Sequence, residues 1–406
     1  MTTTTSVPHA LPPRLPSRSP PSLPWALIGA ACLGSFAASS SGTTRAPFLL
    51  VMAHDLDVSM PLVANLVSMT ATAWGIASAA GGYLSDRVGR RVLLVAGMLG
   101  LCLAMYAQAQ ATSFFWVAVC ASLAGGCAGT FTGVVYAEVS SHVGDGQRGR
   151  ALGWVMSGQS MALVVGMPVA AWVGSLIGWR GWNLCMAGIA LAGAFALLAT
   201  VRRRVIAATT STTKRPTLRA ALSPRILVLL GTGVAERVCY GLAAVYLATF
   251  LQAIYHLSLA AIAVPLAIFA FGNIVGTILG GQLADRLRDR LAIVAMAMSL
   301  SGLVALGLFM WHPSPLVSVA LGFLYVMMNA LGRPAYMASL AAVPEQVRGT
   351  VLGFNGASAS IGWVTAAALG AVMIGVTGFE GFGPLATLLA FLGAMGALVC
   401  RRLNAT

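Results

Sequence analysis

Between charged breaks the chain carries long apolar stretches at 25–53, 60–83, 92–110, 114–138, 151–176 and 182–201. It does so again at 226–254, 260–282, 291–311, 315–341, 350–375 and 382–400. A helix rising 1.5 Å per residue needs about 20 apolar residues to cross a bilayer core. The pattern predicts an all-α membrane protein of twelve spans, grouped as two six-helix bundles over 25–201 and 226–400. Residues 1–24 hold Pro8, Pro12, Pro13, Pro16, Pro20, Pro21 and Pro24 among Thr and Ser. Such a segment cannot bury a core and reads as a disordered tail. The Thr-rich segment 202–225 reads as a linker and 401–406 as a short C-terminal tail. Arg14 and Arg18, ahead of an apolar run ending in Ala37-Ala38-Ser39, superficially resemble a secretory signal. The apolar pattern resumes at Pro47 to Met52, so the stretch is read as the first span.

Composition narrows the function. Of 406 residues 58% are apolar and 8% charged, against about 25% charged in soluble domains. That excludes a soluble enzyme, a disordered protein and a nucleic-acid binder. The formal charge of +14 comes from 24 Lys and Arg against 10 acids. With both termini on one side, 20 of the 24 fall on that side, seven of them in the linker (Arg202, Arg203, Arg204, Lys214, Arg215, Arg219, Arg225). Only Arg180 falls in a loop on the other. Cytoplasmic loops carry the basic excess, so the termini and linker are expected in the cytoplasm, in contact with anionic lipid heads. The expected location is a bacterial inner membrane, with the chain acting as a monomer. The seven cysteines form no CxxC pair and no Cys/His metal spacing, and read as small core residues. No phosphate-cradling GK[ST] loop and no nucleophile–base pair is visible, so neither an enzyme nor a cofactor is expected.

The halves repeat. Gly82-Tyr83-Leu84-Ser85-Asp86-Arg87 matches Gly281-Gln282-Leu283-Ala284-Asp285-Arg286, an offset of 199. Asp145, Arg148 and Gly149 match Glu345, Arg348 and Gly349, an offset of 200. Duplicated six-span units mark secondary transporters that rock two halves about a midplane site.

The stretch GYLSDRVGRR (82–91) resembles the signature loop of the major facilitator superfamily, and GQLADRLRDR (281–290) its second-half counterpart. The resemblance implies a gating role for Gly82, Asp86, Arg87, Gly89 and Arg90, with Gly281, Asp285 and Arg286 in the second half. It implies that Asp86 meets a helix N-terminus of the other half and that Arg90 pairs with Glu138 at the end of span four. The plainer alternative is that these charges only fix topology. The second copy departs from the pattern, with Arg288 for a Gly and Asp289 for an Arg. Span five carries small residues every four positions, among them Gly158, Gly166 and Gly174, and span eleven repeats this with Gly362 and Gly370. Small residues let helices approach closely, here expected at the interface between the halves. Gly166-Met167-Pro168 with Gly178-Trp179-Arg180 resembles the span-five motif of the twelve-span drug/metabolite proton antiporter branch. Ala121 stands where that branch carries an Arg.

Four charges remain inside spans: Arg45, Glu236, Arg237 and Arg333. Each costs about 2.5–3.5 kcal/mol at mid-bilayer on insertion scales, so each needs a partner or water. Span one runs Ser39-Ser40-Ser41-Gly42-Thr43-Thr44-Arg45 without an aliphatic residue and is expected to line a cavity, with Arg45 in a binding, packing or gating role. Glu236 and Arg237 are adjacent and 100° apart, so they are not expected to face one another; Tyr240 lies one turn from Glu236. Glu236 is open to two readings, a coupling or substrate group or a structural ion pair with an intramembrane Arg. Span ten places Tyr325, Asn329, Arg333 and Tyr336 on one stripe. The resemblance implies that spans one, four, seven and ten line the central cavity. Three Arg against one Glu then favour an anionic or zwitterionic solute. Asn65, Gln159, Asn273 and Asn355 read as helix–helix hydrogen bonds. The leading expectation is proton-coupled efflux by antiport; the alternatives are proton-coupled uptake of an organic anion, an uncoupled facilitator and, last, a sensor on the same fold.

Overall fold

The computed structural model of the chain describes residues 23–201, 223–287, 289–342 and 345–403. The expected tail over 1–22, the linker over 202–222 and Arg288 lie outside the described residues. So do the side chains of Asp86, Asp145, Arg148, Glu345 and Arg348. Every regular element among the described residues is helical. In the first half these are α1 (Trp25–Thr43), α2 (Leu49–Asp55), α3 (Met60–Val88), α4 (Arg90–Gln110), α5 (Phe114–Ser140), α6 (Asp145–Met161) and α7 (Met167–Thr200). In the second they are α8 (Pro224–Tyr255), α9 (Ala263–Arg286), α10 (Arg290–Met310), α11 (Pro315–Ala341), α12 (Glu345–Val376) and α13 (Phe382–Arg402). Among the described residues ten helices are long and apolar enough to cross a membrane. Large apolar side chains such as Leu103, Leu176 and Leu316 stand 67%, 73% and 79% exposed around the bundle. Water would penalise that surface and lipid does not.

Three expected spans take a different form. The first is not one helix over 25–53: α1 stops at Thr43, a 3₁₀ turn follows over Ala46–Phe48, and α2 completes the stretch. Pro47 has no N–H to give to the Thr43 carbonyl, and its ring crowds that carbonyl. The hydroxyls ahead of it turn back onto the chain, Ser41 to the Ala38 carbonyl, Thr43 to Ser39 and Thr44 to Ser40. Spans five and six form one apolar stretch, Arg150–Thr200, of 51 residues. Unbroken it would measure about 75 Å, more than two bilayer cores. Gly178, at φ 71°, interrupts it. A π-helical turn over Ala162–Gly166 joins α6 to α7 just before Pro168, where the missing proline N–H frees the Val164 carbonyl. Arg401 and Arg402 belong to α13 and not to a tail.

The helix pairings repeat with the sequence. In the first half α3 packs on α5, α4 on α7, and α1 on α6 and α7; in the second α9 packs on α11, α10 on α13, and α8 on α12. Between halves α3 meets α12, and α7 meets α9. Ser68 donates to the Val364 carbonyl at 3.0 Å, and Gln252 Nε2 to the Pro47 carbonyl at 3.1 Å.

The glycine ladders pack within each half, not between halves as expected. A Cβ on Gly158 would meet the Cys32 carbonyl of α1, on Gly166 the Ser40 and Thr44 side chains, and on Gly174 the Phe48 ring. Gly362 lies against Arg237 and Gly370 against Tyr246, both on α8. Gly276 and Gly280 lie against the backbone of Met327 and Leu331 on α11.

Gly276→Ala therefore tests close approach against helix propensity. Alanine gains about 0.5–1 kcal/mol in a helix, but forcing a methyl against backbone costs about 1–3 kcal/mol. Gly276→Ala is expected to lower the melting temperature of the purified protein. Gly231→Ala, in open space on α8, should leave it level or raise it. Equal melting of the two variants would refute the packing account.

Candidate functional site

The second half gathers charge at one place. Glu236 lies mid-way along α8 and is 4% exposed. Arg333 of α11 reaches it with a fork: Nε and Nη2 both donate to Oε1, at 3.1 and 2.8 Å. Arg237 Nε lies 3.3 Å from the other oxygen, Oε2. The expectation that these two neighbours would not meet is corrected here. Their Cα–Cβ directions diverge, but the arginine stem is long enough to fold back across the helix surface. Both carboxylate oxygens are thus engaged, and two guanidiniums share one carboxylate, a net charge of +1.

The surroundings hold Arg333 as firmly as they hold Glu236. Its Nη1 donates to Asn273 Oδ1 of α9 at 3.4 Å. Its guanidinium sits 4.9 Å from the Tyr240 ring centroid, a cation–π contact. Tyr240 in turn stacks on Phe269 at 6.4 Å and meets Trp363 edge-on at 5.8 Å. On α11 the side chains of 325, 329, 333 and 336 follow one face, spaced four, four and three. Pro334 directly after Arg333 removes the helical bond to the Ala330 carbonyl. Tyr336 donates to Asn355 Oδ1 of α12 at 3.2 Å and presses on Gly233. Tyr325 donates to the Cys239 carbonyl at 2.5 Å, tying α11 to α8 below the surface. Asn329 is fully buried, and neither of its amide atoms has a partner among the described residues.

Asn273 and Asn355, read from sequence as packing amides, therefore touch the charged group or its neighbour. An amide one helix away from an intramembrane Arg is the signal that would have raised them. Trp363, which walls the Tyr240 ring, carries no such signal in an apolar run.

Arg45 is not part of this assembly, and the expectation of three Arg around one cavity is corrected. It is buried inside the first half, where Nη1 donates to Thr70 Oγ1 at 3.0 Å and to the Leu66 carbonyl at 3.4 Å, and Nη2 to the Ser41 carbonyl at 3.2 Å. The break of α1 before Pro47 turns the side chain toward α3 and away from the second half.

The loop motif divides into two different devices. In the first copy Gly89, at φ 95°, makes the turn between α3 and α4 that other residues rarely adopt. Arg90 lies 3.7 Å from Glu138 and donates to the Ala137 carbonyl at 3.1 Å; Arg87 covers the Tyr83 ring. In the second copy Asp289 stands where Arg90 stands in the first. It caps α10 by accepting from the Ala292 amide at 3.0 Å and pairs with Arg401 at 2.5 Å. Asp285 and Arg286 are exposed. The motif glycines Gly82 and Gly281 face open space. The close approaches fall one residue earlier, at Gly81 against Thr130 and Gly280 against Leu331.

A family model described as Major Facilitator Superfamily matches residues 31–286 and 229–405. A chloramphenicol resistance protein of Streptomyces lividans is 27% identical over 270 residues, 66% of this chain and 69% of that one. The inner membrane transport protein YdhP of Escherichia coli is 26% identical over 257 residues, 63% of this chain and 66% of its own. An uncharacterised transporter of the same type, YwfA of Bacillus subtilis, is 24% identical over 377 residues and covers 91% of this chain and 90% of its own. Among solved structures, a bacterial homologue of the lysosomal transporter Spinster, inward-facing and unoccupied, superposes with a TM-score of 0.74 at 15% identity, covering 94% of this chain and 95% of that one. A variant of the nucleoside transporter NupG gives 0.75 at 12% identity, covering 93% and 100%. At these identities the structures speak for the fold.

Removing one partner of a buried ion pair costs about 3–5 kcal/mol, because the other charge is left buried. Glu236→Gln strands two guanidiniums, whereas Arg237→Gln leaves the Glu236–Arg333 fork intact. In a melt followed by tryptophan fluorescence, Glu236→Gln is expected to unfold at the lower temperature. The Glu236→Gln/Arg333→Gln double variant should lose less stability than the sum of its singles. Strict additivity would mean that the fork contributes nothing.

Proposed function

The chain belongs to the Major Facilitator Superfamily and is a multi-pass membrane transporter, not an enzyme, and from that premise we propose that it carries a small organic anion together with a proton. The observation that carries this reading is the Glu236 carboxylate held by Arg333 and Arg237 at the depth of the membrane. Arginine forks suit carboxylate and phosphate. An anionic solute competes with Glu236 for Arg333, since both offer oxygens to the same donors. A carboxylate that loses its partner in a buried site takes up a proton instead of remaining charged. Solute and proton therefore bind together and leave together. Their linkage is positive and the coupling is co-transport. The resting fork, formed when neither is bound, leaves the site at the same net charge of +1 as the loaded, protonated site and so readies it for the return step. The partly exposed Arg237, which touches Glu236 through one 3.3 Å contact, is the guanidinium most easily diverted to the solute, and the Asn329 amide, without a partner among the described residues and one turn from Arg333, supplies further hydrogen bonds.

This linkage reverses the order of the expectations drawn from the sequence. Antiport requires a solute that competes with the proton for Glu236, which means a cation or a neutral molecule with donors. That second reading, efflux by antiport, is favoured by the likeness to the chloramphenicol resistance protein. Both readings share alternating access by a single chain, a bacterial inner membrane and cytoplasmic termini. The basic loops support that orientation, and the likeness to YdhP supports the location.

Purified protein in liposomes with a trapped pH dye separates these readings. A panel of carboxylates, phosphate esters and cationic drugs is offered with and without a pH gradient. An organic anion is expected to accumulate down an inward proton gradient and to acidify the lumen as it enters. Glu236→Gln should keep anion exchange and lose gradient-driven accumulation, and Arg333→Gln should lose both. Protons moving against the solute would establish antiport, and flux indifferent to the gradient would leave a facilitator.

A further inference from the structure

Arg45 presents a different problem from Glu236. It is 6% exposed, and no described carboxylate lies within 4 Å of it. Its three hydrogen bonds go to neutral oxygens: Thr70 Oγ1 and the carbonyls of Leu66 and Ser41. A guanidinium has five N–H donors, so two remain without an acceptor among the described residues. Beside them is a cavity walled by Thr44, Phe48, Gln108, Trp179, Trp182 and Asn183, with room for about one water-sized particle.

The wall of this cavity mixes donors and acceptors: the Trp182 indole, the Thr44 hydroxyl and the amides of Gln108 and Asn183. Gln108 is fully buried, and neither atom of its amide has a partner among the described residues. Thr44 Oγ1 donates to the Ser40 carbonyl and already accepts from Trp182 Nε1 at 2.8 Å. Ser41 Oγ is spent on the Ala38 carbonyl. The Asp55 carboxylate reaches the cavity only through Trp179: its Oδ2 accepts from Trp179 Nε1 and from Arg180, each at 2.9 Å. Two N–H groups of Arg45 and the amide of Gln108 thus converge on one small space beside a buried positive charge. A buried ion without a counter-charge is strongly unfavourable. A water in this space would satisfy hydrogen bonds and leave the charge unbalanced; a monovalent anion would accept from Arg45 and from Gln108 Nε2 and balance the charge.

We propose that the first half binds one chloride-sized inorganic anion between Arg45 and Gln108. The site is separate from the Glu236–Arg333 assembly and does not depend on what that assembly transports. The anion is a fixed counter-charge that ties the broken end of α1 to α4 and α7.

Purified protein in gluconate buffer, titrated with chloride or bromide at constant ionic strength, tests this. A ligand that binds only the folded state raises stability with its concentration. The melting temperature is expected to rise with either halide and saturate, and radiolabelled chloride should bind at one site displaceable by bromide. Arg45→Gln should weaken that binding by at least roughly tenfold. Gln108→Glu, which supplies a built-in carboxylate, should fold, melt high in gluconate and lose the halide response; it decides the matter if Arg45→Gln does not fold. A melting temperature indifferent to halide means that only water occupies the space and overturns the proposal. Halide binding retained in Gln108→Glu also overturns it. Binding lost in Arg333→Gln but kept in Arg45→Gln would place the ion at the other cluster and overturn it equally.

Discussion

A single buried carboxylate organises the second half of this protein. Glu236 engages Arg333 with one oxygen and Arg237 with the other. In an aqueous enzyme such a group could borrow water; inside a bilayer the charges must find each other. Much of the local structure follows from that need. The stripe on α11 brings Arg333 across, Asn273 of α9 takes its remaining edge, and Tyr240 lies under its plane. Phe269 and Trp363 exclude lipid from the Tyr240 ring. Four helices are committed to one carboxylate, and all four belong to the same half.

The two halves keep the same helix pairings but have lost the same chemistry. Where the first half ties a loop arginine, Arg90, to Glu138, the second has an aspartate, Asp289, that caps its own helix and holds Arg401. The sign of the charge at the equivalent position is reversed. The first half buries its cation, Arg45, among neutral oxygens, while the second answers its cations with an acid. Duplication preserved backbone contacts, which depend on small residues at Gly81 and Gly280 alike, and let the polar positions drift.

The bundle was legible from the sequence because lipid demands long apolar runs, and the period of 199 to 200 residues exposes the duplication. The loop motif and the intramembrane charges were legible for the same reason: polarity is conspicuous against 58% apolar residues. What sequence hid was direction. The run from Ser39 to Arg45 reads as a cavity wall, yet Pro47 ends α1 and its hydroxyls bond locally. Adjacent Glu236 and Arg237 read as facing apart because helix geometry places Cβ atoms, not the ends of long side chains. The glycine ladders read as an interface between halves because spacing says that helices approach, and says nothing of which helix. Asn273 became part of the site only when α9 was placed beside α11.

One contact acquires a mechanical meaning from its position. Gly362 of α12 lies against the Cβ of Arg237, and α12 is also the helix that meets α3 of the first half, where Ser68 donates to Val364 only two residues away. The stem of Arg237 is pinned to the helix that spans the seam, while Glu236 beside it is pinned to Arg333 on α11. Displacement at the seam would bear first on Arg237, and on Glu236 only through it.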